Sequence, residues 1–203
     1  MTLIDIGNTT ACVYKNEHLK RIELKDFSPS SFKEKVFYIS VNANFSVLPS
    51  NFINLEPFFS LDTSYIGLGV DRIASCYYID TGVIVDAGSA ITIDLMKNKK
   101  HLGGFILPGI ESYLNAYKNI SCRLNYDLNT TLDLGSLPNS TKDAISYGII
   151  SSIVTCIKEF AKDEIIYLTG GDSSFLNQFF KNAINEKNLV FQGMQKLIKD
   201  LNL

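Results

Sequence analysis

One short motif occurs twice in this chain, and that repeat limits the folds open to it. Thr2-Leu3-Ile4-Asp5-Ile6-Gly7-Asn8-Thr9-Thr10 is echoed by Gly82-Val83-Ile84-Val85-Asp86-Ala87-Gly88-Ser89-Ala90-Ile91-Thr92. Each copy is a β-forming apolar run that ends in aspartate, reaches a glycine within two residues, and then carries small hydroxyl or amide side chains. Each returns at once to a second β-like run, Ala11 to Tyr14 and Ile91 to Leu95. A single copy describes an ordinary turn. Two well-separated copies predict a duplicated phosphate-holding hairpin, and with it a cleft between two related halves.

Length and composition allow this. A chain of 203 residues suffices for one large domain or two small ones. Its net charge of −2, with 19 basic residues and no clear basic cluster, argues against a nucleic-acid surface. Cys12, Cys76, Cys122 and Cys156 are widely spaced with no C-x-x-C pair, which predicts reduced thiols rather than a disulfide frame or zinc site. No basic, then apolar, leader opens the sequence, and no uncharged run approaches the roughly 18 residues of a membrane span. A soluble cytoplasmic protein without membrane or nucleic-acid partners is expected.

Along the chain, Leu3 to Gly7, Ala11 to Tyr14 and Leu19 to Leu24 read as an antiparallel meander. A short helix is expected over 28–35, a strand over 36–41, and a loop over 42–61 with one short strand near 57–60. Ile73, Ala74, Tyr77 and Tyr78 share one face of a helix over 71–79. A second cycle starts at Val83, with a charged turn at 97–100, a strand to Leu107 and a helix over 110–118. Ser140-Thr141-Lys142-Asp143 starts a helix to about residue 162 whose middle is apolar almost all round, predicting burial. A strand over 164–168, a helix over 173–184, a short strand over 189–191 and a helix over 194–201 complete the expectation. Both histidines, His18 and His101, are assigned to charged surface turns.

Three constellations carry chemistry. Asp5-Ile6-Gly7-Asn8-Thr9-Thr10 combines a glycine that lets backbone N–H groups approach a polyphosphate, hydroxyl and amide donors, and a carboxylate suited to the Mg²⁺ of ATP. A tight hairpin turn uses the same residues. Asp86 ends a buried-type strand, where an ionised carboxylate needs a cation, a hydroxyl or a backbone nest; Ser89 and Thr92 are phosphate-side donors. Gly67-Leu68-Gly69-Val70-Asp71-Arg72 turns tightly into a helix. There Arg72 and the helix N-terminus suit an anionic group, and Asp71 suits the acceptor of a hydroxyl proton in phosphoryl transfer. A first-turn Asp and a surface Arg account for the same residues. Thr169-Gly170-Gly171-Asp172 fits either an adenosine pocket or a plain strand-to-helix loop.

Taken in order, these motifs resemble those of the type III pantothenate kinases, over nearly the whole chain. The resemblance rests on Asp5-x-Gly7-Asn8-Thr9, Gly69-x-Asp71-Arg72, Asp86-x-Gly88-Ser89-Ala90, Gly103-Gly104-Phe105-Ile106-Leu107-Pro108-Gly109, Thr141-x-x-Ala144-Ile145-x-x-Gly148 and Thr169-Gly170-Gly171. It implies an α/β, duplicated actin/sugar-kinase-like (ribonuclease H-like) fold. Two lobes, 1–80 and 81–203, would each carry a mixed five-stranded sheet, with the ATP cleft between them. It implies ATP-dependent phosphorylation of pantothenate, the first step toward coenzyme A, by a homodimer. Asp71 then corresponds to the proton acceptor. Asp5, Ile6, Gly7, Asn8, Thr9, Thr10, Ala11 and Cys12 correspond to the ATP phosphate loop, with Ser89 a second ATP contact. Asp86 corresponds to the ligand of a monovalent cation, K⁺ or NH₄⁺. Tyr65, Gly69, Val70, Arg72 and Thr141 correspond to pantothenate contacts. Two departures are visible: Ser89 stands where the family usually has threonine, and the chain is short for the family between Asn16 and Ser64.

Two other functions share parts of this pattern. Another small-molecule kinase or polyphosphatase of the same superfamily has the paired Asp loops without needing Gly69-x-Asp71-Arg72. A non-catalytic accessory protein of transcription predicts a basic patch, and none is present in the sequence.

Overall fold

Period-two burial explains the first sheet. In the computed structural model, which describes residues 1–45 and 48–203, β1 (Thr2–Ile6), β2 (Thr10–Lys15), β3 (His18–Glu23), β4 (Val36–Ser40) and β5 (Phe52–Asn54) lie in the order β3-β2-β1-β4-β5. β1 runs antiparallel to β2 and parallel to β4. Leu3, Phe37 and Ile39 enter one core with residues of α1 (Val70–Tyr78) and α5 (Leu189–Leu201). Ile4, Ile6, Val36 and Tyr38 enter another with Phe27 and Phe52. Alternation therefore puts Asp5 on the Leu3 face, the one that α1 and α5 cover.

The second sheet repeats this order. β7 (Gly82–Ala87), β8 (Ala90–Lys97), β9 (Lys100–Pro108), β10 (Ile166–Thr169) and β11 (Ala183–Asn185) lie as β11-β10-β7-β8-β9. A sixth strand, β6 (Asp62–Thr63), pairs in parallel with β9 at the edge, so this sheet has six strands where five are expected. The β2–β3 and β8–β9 connections match as well. Asn16 and Glu17 have φ of 50° and 65°, and Asn98 and Lys99 have 52° and 65°. Both are two-residue turns with two consecutive left-handed residues, the type I′ hairpin that suits the strand twist.

The chain forms two compact units: Met1–Asp80 with Lys97–Leu102 and Asn188–Leu203, and Thr81–Met96 with Gly103–Lys187. The core of the second packs Val83, Val85, Ala87, Ile91 and Ile93 against Ile149, Ile150, Ile153 and Ile157 of α3 (Thr141–Ala161). Asp86 thus lies on the face opposite α3. Among the described helices, α3 alone is long and apolar enough to cross a bilayer by length and composition. Here its apolar residues are core.

Several expected elements differ. Residues 28–35 hold only a 3₁₀ turn at Pro29–Ser31, and the loop expectation at Ser46 and Val47 lies outside the described residues. The strand expected at 57–60 falls earlier, at Phe52–Asn54, because Pro57 sits inside a 3₁₀ turn and has no N–H for a ladder. The helix expected over 173–184 stops early as α4 (Ser173–Asn177), since Ala183–Asn185 pair with β10. Leu189–Phe191, expected as strand, form the first turn of α5. Their burial continues at Met194, Leu197 and Ile198, and packing overrides their β-propensity. Gly193 makes the α1–α5 contact possible, because a Cβ there would overlap the Ala74 carbonyl.

Candidate active site

The two Asp-Gly hairpins are built alike but differ by one residue. Ile6 pairs with Ala11, leaving Gly7, Asn8, Thr9 and Thr10 in the loop; Ala87 pairs with Ile91, leaving Gly88, Ser89 and Ala90. In the first, the Gly7 N–H donates to the Thr10 carbonyl at 3.0 Å, and Asn8 and Thr9 are exposed at the tip. The end of β4 anchors this loop: the Val41 N–H donates to the Ile6 carbonyl at 3.1 Å, and Asn42 Nδ2 to the Gly7 carbonyl at 3.4 Å. Asp5 is half-buried and stands opposite Cys12.

In the second, the Gly88 N–H donates to the Ala90 carbonyl at 3.0 Å. The start of α2 (Ile110–Ile120) supports it: the Gly109 N–H and the Ser112 hydroxyl both donate to the Ser89 carbonyl, at 3.2 and 3.3 Å. A Cβ on Gly109 would come within 2.5 Å of the Gly88 and Ser89 carbonyl oxygens, which accounts for a glycine there. Asp86 is half-buried, and Thr169 lies beside it in the parallel ladder. Gly170, at φ +89°, packs so closely that a Cβ would meet Asp86 Oδ1 and the Ala87 carbonyl. The Asp172 N–H donates to that carbonyl at 2.9 Å. Thr169-Gly170-Gly171-Asp172 therefore encloses the second aspartate.

The mouth of α1 has its own logic. Gly69 is the N-cap, and the Arg72 N–H donates to Asp71 Oδ1 at 2.7 Å. A Cβ on Gly69 would lie 2.5 Å from that same Oδ1, so the glycine of Gly69-x-Asp71 makes room for the aspartate's own carboxylate. Val70 is buried against the sheet face that also bears Asp5. Arg72 is only 6% exposed. Its Nη1 donates to Tyr65 Oη at 3.4 Å, and its guanidinium lies 4.9 Å from the Tyr65 ring centroid, a cation–π contact.

His101 corrects the sequence expectation. It is 1% exposed and lies in β9, not in a surface turn. The turn is complete at Asn98-Lys99, so His101 is already the second residue of the strand. Its Nδ1 is 2.7 Å from Thr63 Oγ1, and its ring centroid is 5.9 Å from that of Tyr65. His18, by contrast, is exposed as expected. Thr141 is exposed at the first position of α3. The Ser140 hydroxyl beside it accepts from the Asp143 N–H at 3.2 Å and donates to Asp143 Oδ2 at 2.8 Å, the expected cap. Asn129 Nδ2 also donates to Asp143, at 2.8 Å; it and Ser140 hold that carboxyl below its ordinary range.

In the first unit, then, the structure puts Asp5 and Val70 at one sheet face and stacks Arg72 on Tyr65. Asp86, Ser89 and Thr141 belong to the second unit. Sequence reasoning missed Thr63, His101 and the close approaches of Gly109 and Gly170. The paired Lys-Asn turns after β2 and β8 were the available signal for His101.

Two such units, each a meander flanked by parallel strands with an Asp-Gly hairpin in the centre, define the actin/sugar-kinase-like fold. A Sinorhizobium meliloti protein described as a candidate 2-dehydro-3-deoxygalactonokinase shares it at TM-score 0.55 and 7% identity over 98% of both chains, a likeness of fold alone. The sequence model of the type III pantothenate kinase family matches residues 54–163. A type III pantothenate kinase of Campylobacter jejuni subsp. jejuni is 47% identical over 98% of this chain and 97% of its own. A solved Campylobacter jejuni protein, described as a conserved candidate transcriptional activator of the Baf family, is 46% identical over the whole of both chains, with TM-score 0.92. The chain belongs to the type III pantothenate kinase family. Relative to its Campylobacter relative it is not shortened.

Proposed function

We propose that this chain transfers the terminal phosphoryl group of ATP to the primary hydroxyl of pantothenate, the first step toward coenzyme A. The observation that carries the reading is the mouth of α1, where an amide-bonded Asp71 adjoins a buried Arg72 in a chain of this family. Arg72 binds the carboxylate of pantothenate as a charge-assisted pair, with Gly69, Val70, Tyr65 and Thr141 as further contacts. Asp71 orients the hydroxyl and takes its proton as the new O–P bond forms and the bond to ADP breaks. The loop from Asp5 to Cys12 cradles the phosphates with backbone N–H groups and the Thr9 and Thr10 hydroxyls, and Ser89 adds a second contact.

Asp5, a hard oxygen donor at the head of this loop, suits Mg²⁺ held through water, which would neutralise phosphate charge when bound. Asp86, a carboxylate at the end of a buried strand that needs a compensating charge, suits a monovalent cation, K⁺ or NH₄⁺. Thr169 to Gly171 then serve the second aspartate first and the adenosine second. The enzyme works as a cytoplasmic homodimer in this reading.

The description of the Campylobacter jejuni structure favours a role in transcription instead. A net charge of −2 without a basic cluster gives that role no surface for nucleic acid. An assay coupled to ADP release, with ATP, Mg²⁺ and either pantothenate or a panel of sugars, separates the readings. The expected result is turnover of pantothenate only, dependent on K⁺ or NH₄⁺. Turnover of a sugar but not pantothenate would overturn the substrate.

A further inference from the structure

The arginine proposed to bind substrate does not stand alone. Its guanidinium lies over Tyr65, the Tyr65 ring lies against His101, and His101 Nδ1 meets Thr63 Oγ1 at 2.7 Å. The same Thr63 oxygen accepts the backbone N–H of Tyr65 at 3.0 Å. β6 brings Thr63 directly beside His101 in the parallel ladder, at the edge of the second sheet. One hydroxyl therefore ties both the backbone and the ring neighbour of Tyr65, since a threonine oxygen has two lone pairs and one proton to share.

From this we infer that Thr63 and His101 are positioning residues that act through Tyr65 to hold Arg72 where an anionic substrate group meets it. The two-residue strand β6 exists to deliver that hydroxyl. A buried arginine has many rotamers, and a pre-set stack removes the ordering cost that substrate binding would otherwise carry. The consequence is selective: the affinity for the carboxylate-bearing substrate depends on Thr63, while the affinity for ATP does not. This rests on the substrate reading above.

The test uses Thr63→Val and Thr63→Ser in the full-length protein, with His101→Asn as a second route because it removes the ring that lies against Tyr65. Two readouts are taken: KM for each substrate, and the nitrogen–proton signal of Arg72 Nε in the substrate-free protein. Thr63→Val is expected to raise the pantothenate KM about tenfold, as for one lost positioning hydrogen bond, with the ATP KM unchanged. It should also shift the Arg72 signal; Thr63→Ser should keep both at their wild-type values, and His101→Asn should move both as Thr63→Val does. An unmoved Arg72 signal in Thr63→Val, an unchanged pantothenate KM, or an equal rise in both KM values would overturn the inference. A wild-type chain inert on pantothenate would instead overturn the substrate reading, and the Arg72 signal would still decide whether the stack positions the arginine.

Discussion

Replacing Gly170 by alanine tests whether the second Asp-Gly hairpin depends on a side-chain-free neighbour. Two costs add at this position. The φ of +89° is one that L-residues rarely adopt, and such strain costs about 1–3 kcal/mol. The new Cβ would also run into Asp86 Oδ1 and the Ala87 carbonyl, and crowding of that kind typically costs about 1–3 kcal/mol more. Gly103→Ala is the control within the same unit: its φ is +132°, and a Cβ there would meet nothing within 4 Å. Alanine also restricts the unfolded chain at both sites, a gain of about 0.4–1 kcal/mol that cancels in the comparison. The crowding alone should therefore separate the two variants by about 2 kcal/mol, or about 1 M in the urea midpoint. Far-UV circular dichroism reports the unfolding, because the chain has no tryptophan. Since Asp86 is the group displaced, Gly170→Ala should also need more K⁺ for half-maximal turnover, and Gly103→Ala should not. Equal midpoints for the two variants would refute the crowding argument.

Gly193→Ala should lower stability by about 1–3 kcal/mol or more, because its Cβ would overlap the Ala74 carbonyl and force α5 off α1; thermal unfolding measures this. Glu34 gives a pH test. Hydrogen bonds from Lys15 at 2.6 Å, from its own backbone and from Thr2 at 3.0 Å push its carboxyl from 4.5 down to about 2. A folded value below the unfolded one means that its contribution is complete above pH 4.5 and is lost as pH falls through about 2. In a carboxyl-detected NMR titration, Lys15→Met should raise the midpoint toward 4.5, and high salt should do so more weakly.

Where local chemistry and tertiary packing agree, the structure was legible in the residues. Asp5-x-Gly7 and Asp86-x-Gly88 mark both central hairpins because apolar alternation and glycine point to the same turn. Ser140 with Asp143 marks the start of α3 because the cap is local. Legibility ended where distant partners decide. Leu189 to Phe191 have strand-forming side chains, yet Val190 and Phe191 pack in one core with residues of α1 and the first sheet. Residues 178–182 follow a helical start but turn, and Ala183–Asn185 then pair with β10. His101 lies among lysines, and its ladder partner Thr63, thirty-eight residues away, is not visible locally. The candidate site followed the same rule: Asp71 and Arg72 stand out by motif, whereas the supports of Arg72 and the enclosure of Asp86 exist only in three dimensions.

The central claim is that Asp71 takes the proton of the substrate hydroxyl. Asp71→Asn keeps the shape and the acceptor that the Arg72 N–H uses, but it removes the base. In the coupled assay with ATP, Mg²⁺, K⁺ and pantothenate, kcat should fall about 10²–10⁴-fold while the melting temperature is unchanged. Wild-type turnover by Asp71→Asn would contradict the account.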